Sequence, residues 1–179
     1  HIAITDSITY AKRLQNAILP TEDAISNNFN NYFVYYQPKD IVSGDFYWIH
    51  KKEEYIYFAV ADCTGHGVPG AFLSLMGTRF LDDIVNTRGV SSPSDILSEM
   101  NNDMVKVFVK DEISKKRQWI EGIDIGICKI NKNANKIEFS GALRNLFMVK
   151  NGELKIVEGD IQSVGGVITS KRLNKSFKL

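Results

Sequence analysis

The stretch Val60-Ala61-Asp62-Cys63-Thr64-Gly65-His66-Gly67-Val68-Pro69-Gly70 constrains the fold more than any other part of the chain. Ahead of it, the apolar and aromatic run from Tyr55 to Ala61 reads as a strand. Gly65, Gly67, Pro69 and Gly70 then break the pattern, and from Ala71 to Val85 the residues Phe72, Leu75, Met76, Phe80 and Ile84 recur at helical spacing. Strand must give way to helix within a few residues, directly behind an aspartate. A second strand, Phe46 to His50, precedes the polar turn Lys51-Lys52-Glu53-Glu54, and Asp45 stands at its start, after Gly44. In a hairpin the start of one strand lies beside the end of the other, so Asp45 and Asp62 are expected at one edge of the sheet.

The remaining segments fill out one compact unit, since 179 residues suit a single domain. Ile4, Ile8, Ala11, Leu14 and Ile18 step by three or four residues and predict a helix that Pro20 ends, with its apolar face packed on the domain and Lys12, Arg13 and Gln15 largely off that face. Tyr32 to Gln37, aromatic and β-branched, predicts a strand. A helix starts near Ser94 and carries Leu97, Met100, Met104 and Phe108; the charged run from Asp111 to Gln118 reads as a loop. Ile123, Ile125, Ile127 and Ile130 open a further set of strands that continues through Ile137 to Phe139 and Leu146 to Val149. Asn151-Gly152 is a hairpin turn into Leu154 to Val157. Strands, two helices and more strands argue for an α+β domain with helices on a largely antiparallel sheet.

Charge and cysteine usage exclude several function classes. With 22 basic and 21 acidic residues, the net charge of +1 offers no basic footprint for nucleic acid. No run of eighteen apolar residues suggests a membrane span, and the first residues do not read as a signal peptide. Cys63 and Cys128 form no CxxC pair or zinc spacing and read as reduced, buried thiols.

Two carboxylates converging at a sheet edge repel each other unless something positive lies between them. A hard divalent cation such as Mg²⁺ or Mn²⁺ answers that need, because it favours carboxylate, carbonyl and water oxygens. Taken singly, each aspartate also reads as a cap or Asx turn, and His66 as a structural histidine. A phosphate cradle at the glycine turn lacks the P-loop lysine. The joint pattern, two aspartates at strand ends across one hairpin, favours the metal.

At these residues the chain resembles the bacterial PPM-type Ser/Thr phosphatases of the SpoIIE/RsbU branch, related to eukaryotic protein phosphatase 2C. The matching pieces, in family order, are Ser7 to Gln15 with Ala17 to Pro20, Asp40 to Trp48, Ala61 to Leu75, Gly122 to Ile125, Gly141 to Arg144, and Gly165-Gly166. The resemblance implies a four-layer αββα sandwich with two Mn²⁺ or Mg²⁺ ions at one end of the sheets. Asp45 and Asp62 match the metal-holding aspartates, and Cys63 the position that ligates through its backbone carbonyl. Gly44, Gly65, His66, Asp124 and Arg144 fall beside the site; Arg144 also reads as a surface or structural arginine. Ser43 and Trp48 depart from residues common in the family, and no arginine precedes Asp45.

The resemblance further implies a phosphoprotein substrate of the anti-sigma-factor-antagonist type, and a cytoplasmic domain whose parent protein could attach to a membrane sensor. Residues 1–20 would form a linker or signalling helix from an upstream sensor or coiled coil, able to support a homodimer. Residues 21–179 would form a phosphatase domain lacking its last strands and their aspartates, for which Asp160 is no substitute, and hence weakly active or inactive. The alternative function is a catalytically inactive, phosphatase-like interaction module.

Overall fold

A computed structural model describes residues 2–108, 122–165, 172 and 175–178. The segment 111–118, expected as a loop, and Gly166 lie outside the described residues. The chain order is α1 (Ile2–Asn16), α2 (Glu22–Ser26), β1 (Phe46–Lys52), β2 (Tyr55–Cys63), α3 (Gly67–Asp82) continuing into a π-helical turn (Asp83–Thr87), α4 (Pro93–Phe108), β3 (Ile123–Asn131), β4 (Lys136–Ala142), β5 (Leu146–Lys150), β6 (Glu153–Val157) and β7 (Lys175–Lys178). No helix among the described residues is long and apolar enough to cross a membrane.

β1, β2, β3, β4 and β7 form one antiparallel sheet in that order, and β5–β6 form a separate hairpin. Strand alternation gives the large sheet two apolar faces. Phe46, Trp48, Ala59, Ala61, Ile123, Ile125 and Ile127 point towards α3 and α4 and bury Leu73, Leu81, Ile96, Leu97 and Met100 between the layers. Complete burial of side chains this size stabilises by about 1.5–3 kcal/mol each. Ile56, Cys128, Ile130, Ile137 and Phe139 point the other way, onto Val157, Leu146 and Met148 of the hairpin. The fold is thus the expected α+β arrangement of helices and antiparallel sheets, with the described part of the second sheet being β5–β6.

The turns follow local chemistry. Asn151 and Gly152 both adopt positive φ, 53° and 80°, as the tight hairpin turn requires. Pro93 opens α4 at the first helical position, where its missing N–H costs nothing. α3 begins at Gly67 rather than Ala71, because Pro69 falls in the first turn, where a proline is tolerated.

Two expectations do not hold. Tyr32 to Gln37 forms no strand; it lines, together with residues of β1 and β2, a groove of about 660 Å³. Nor does the apolar stripe of α1 dock along its whole length. Ile8 and Ala11 are half-buried, but Ile4, Leu14 and Ile18 are 66%, 50% and 45% exposed, whereas Gln15 is 4% exposed. Towards its C-terminal end the helix meets the domain through Gln15 and the following Leu19. The edge strand β7 has no apolar alternation in its sequence and was not anticipated.

Candidate active site

The register of the β1–β2 hairpin builds the site. Phe46 pairs with Ala61, so the next pair outward sets Asp45 against Asp62. On the other side of β2, Asp62 pairs with Asp124 of β3. Three carboxylates from three strands therefore share one end and one face of the sheet. Partial burial, then repulsion from Asp62 and a hydrogen bond with it, hold the Asp45 carboxyl above its usual range; the Arg144 guanidinium works in the opposite direction.

Arg144 is the counter-charge. It forms a close ion pair with Asp62, and its Nη2 lies 3.9 Å from Asp124 Oδ2. Backbone rather than a helix places it: Gly141 and Gly159 pack so tightly around the Arg144 carbonyl that a Cβ on either would collide with it. Ser163 Oγ donates to Asp124 Oδ1 at 2.6 Å and restrains the third carboxylate.

A second wall of the site is backbone. A Cβ on Gly44 would lie 3.0 Å from the Cys63 carbonyl oxygen and 3.1 Å from that of Gly65. Gly70 packs against the same place: a Cβ there would lie 2.7 Å from the Gly65 carbonyl oxygen. Gly65 and Gly67 take φ of +88° and +64°, which turn the chain from β2 into α3. Thr64 ties this turn to the adjacent strand, its Oγ1 accepting from the Gly122 N–H at 2.7 Å. The Cys63 thiol is buried in the helix-side core and pushed up by burial and by the neighbouring aspartates. The Cys128 thiol lies on the opposite face of the sheet, pushed up to about 12 by burial.

A cavity of about 220 Å³ opens beside these groups, lined by Lys39, Asp40, Gly44, Asp45, Asp62 and His66 among others. His66, at the N-cap position of α3, lies at its rim and pairs through Nδ1 with Asp40 Oδ2 at 2.9 Å. Asp45, Asp62, Cys63, Gly44, Gly65, His66, Asp124 and Arg144 are thus gathered in one region. Sequence reasoning missed Lys39, the Asp40 partner of His66, Ser163 and the orienting role of Ser43, whose Oγ accepts from the Asp45 N–H at 3.0 Å.

The donor set fits a hard divalent cation. Two carboxylates and a glycine-cleared carbonyl supply oxygens, and such ions complete their shells with water. Among the described residues no three His, Cys, Asp or Glu side chains form a ready metal cluster; Asp45, Asp62 and backbone oxygens are the groups that could hold an ion.

Comparison with known proteins bears on the family and the fold. The family described as Stage II sporulation protein E (SpoIIE) matches residues 52–162. The SiaA-PP2C domain of Pseudomonas aeruginosa superposes with a TM-score of 0.85 at 26% identity, covering 99% of this chain and 68% of that one. The PP2C phosphatase domain of SpoIIE from Bacillus subtilis, with a fragment of its regulatory domain, gives 0.61 at 18% identity over 77% of this chain and 37% of that one. RsbX in complex with magnesium gives 0.55 at 19% identity over 76% and 61%. No curated protein sequence matches the chain.

Proposed function

Because the chain belongs to the stage II sporulation protein E (SpoIIE) family and has a PP2C-type phosphatase fold, we propose that it is a metal-dependent phosphoserine/phosphothreonine phosphatase domain of a bacterial signalling protein. The observation that carries the reading is the placement of Asp45 opposite Asp62 at the end of the sheet, next to the cleared Cys63 carbonyl. Asp45, Asp62 and that carbonyl would hold the ions, two Mn²⁺ or Mg²⁺. Bound there, such ions would supply a nucleophilic water at neutral pH and Lewis-acid stabilisation of the phosphoryl oxygens. RsbX, with the same fold, is a magnesium complex, which supports the class of ion.

The chain's own groups do the rest. Gly44 leaves the Cys63 and Gly65 carbonyls uncrowded, and Gly65, at a φ of +88°, turns the chain towards α3. Arg144 carries a planar fork of N–H donors suited to phosphoryl oxygens and now paired with Asp62. The substrate class is a phosphoprotein of the anti-sigma-factor-antagonist type, and the setting is a cytoplasmic domain governed by an upstream sensor or coiled coil.

A second reading, a phosphatase-like module without turnover, is favoured by one observation: the Asp62 carboxylate is already engaged by Arg144. Hydrolysis of p-nitrophenyl phosphate separates the two. The phosphatase reading expects activity that needs Mn²⁺ or Mg²⁺, is abolished by a chelator, and falls on the order of tenfold to a hundredfold in Asp62→Asn, as when a metal's surroundings are disturbed. Activity indifferent to chelator or to Asp62→Asn selects the module.

A further inference from the structure

Asp124 stands beside Asp62 in the register of β2 and β3, and both carboxylates face one nitrogen of Arg144. Nη2 closes on Asp62 Oδ2 and lies 3.9 Å from Asp124 Oδ2. A shift of about 1 Å would bring it to hydrogen-bond distance of the second acid. The Arg144 backbone need not move for this. Its carbonyl is wedged between Gly141 and Gly159, and the adjacent Leu143 N–H donates to the Asp160 carbonyl at 2.7 Å.

Asp124 is braced to receive the guanidinium. Ser163 Oγ holds its Oδ1 at 2.6 Å, while Oδ2 is the oxygen nearer Arg144. Ser163 is fixed in turn from both sides. The next residue, Val164, exchanges backbone hydrogen bonds of 2.8 and 2.9 Å with Ile123. The buried Arg172 donates through Nη1 to the Gln162 carbonyl at 3.0 Å and through Nη2 to the Ser163 carbonyl at 2.9 Å. The Asp124 side chain is 25% exposed against 52% for Asp62, so solvent screens its attraction for a cation less. A divalent ion and a guanidinium on the same carboxylate repel each other, and a second acceptor within reach relieves that conflict.

We propose that Asp124 is a positioning residue for Arg144: it draws the guanidinium off Asp62, so that Asp62 can turn its oxygens to a divalent ion while Arg144 stays beside the site. This rests on the metal-dependent reading above. Asp124 then governs ion affinity through Arg144, without holding the ion itself.

Calorimetric titration of Mn²⁺ into the wild type, Asp124→Asn, Arg144→Met, the double variant and Asp62→Asn tests it. Asp124→Asn removes the charge with little change of size, so Arg144 settles on Asp62. Mn²⁺ binding is then expected to weaken roughly fivefold, the low end for two coupled sites. Arg144→Met removes the competing cation and should tighten binding. In that background Asp124→Asn should change affinity by less than about twofold, because no guanidinium remains to be drawn away. Asp124→Ala serves in both backgrounds if an asparagine variant does not fold by circular dichroism. A loss on Asp124→Asn as large in the Arg144→Met background as in the wild type overturns the proposal, since Asp124 would then attract the ion directly. Wild-type affinity in Asp124→Asn beside lost binding in Asp62→Asn also overturns it and leaves the metal reading intact. Weaker binding in Arg144→Met does the same, because Arg144 would then be holding Asp62 for the ion. A wild type that binds no Mn²⁺ overturns the metal reading, and the role of Asp124 falls with it.

Discussion

Gly44 and Asp45 show how closely backbone and charge are matched at the end of the sheet. Any side chain at position 44 would press on the carbonyls of Cys63 and Gly65. Asp45 meanwhile keeps a carboxyl raised by partial burial and by Asp62. A different titration acts on the fold away from the site. His50 stacks on Trp48 at 5.9 Å, and burial, followed by Lys52, lowers its pKa below the usual 6.5, with Asp82 opposing. Below pH 6.5 the unfolded chain binds the proton before the folded one does, so this residue's contribution is complete above that pH and is lost as pH falls through the lowered folded value. Urea melts from pH 7.5 to 5 should show that decline in the wild type and a shallower one in His50→Gln; parallel profiles would count against it. Asp45 and Asp62 were legible in the sequence because both flank one hairpin, where spacing alone predicts adjacency. Asp40, Ser163 and Gln15 were not, since each meets its partner across 26 to 39 residues of chain, and no local pattern encodes such a meeting.

At the scale of elements, periodicity reports which residues share a face but not what covers it. Phe33 and Tyr35 are 90% and 82% exposed, while Tyr32 and Val34 between them are 38% and 45% exposed. The alternation of a strand is therefore present in Tyr32 to Gln37, without a ladder. α1 makes the same point in reverse: its apolar stripe was legible, yet the sequence could not say that Gln15 would carry the contact. A β-pattern without pairing contributes little to folding. The double variant Phe33→Ser with Tyr35→Ser is therefore expected to change unfolding free energy in urea by no more than about 0.5 kcal/mol. Ile127→Ala, at a fully buried position of β3, should cost about 2–5 kcal/mol. A loss from the double variant approaching that of Ile127→Ala would mean that the extended segment is integral to the core.

For the whole molecule, the decisive feature is that α3 begins at the site and ends far from it. Its 16 residues span about 24 Å, and the π-helical turn beyond delivers Arg88 to a cluster of acids. Arg88 bonds Asp83 at 2.8 Å and Glu99 at 3.1 Å and closes tightly on Asp103, whose side chain is 9% exposed. Among the described residues, Arg88→Ala would leave Asp103 the single cationic partner Lys106, at 3.4 Å. The cost should fall between that of an exposed and a buried ion pair, about 1–3 kcal/mol. If the sheet and helices act as a rigid frame, that loss stays local. A bound ion adds its own stability by mass action, about 2.7 kcal/mol at a hundred times its dissociation constant. Urea melts with and without Mn²⁺ should give the same increment in wild type and Arg88→Ala and none in Asp62→Asn. Arg88→Ala and Asp62→Asn, made together without metal, should add to within about 0.5 kcal/mol, as distant sites do. A larger coupling, or an Mn²⁺ increment that shrinks in Arg88→Ala, would show that α3 transmits strain along its length, and that the far end of the helical layer helps to set the geometry of Asp62.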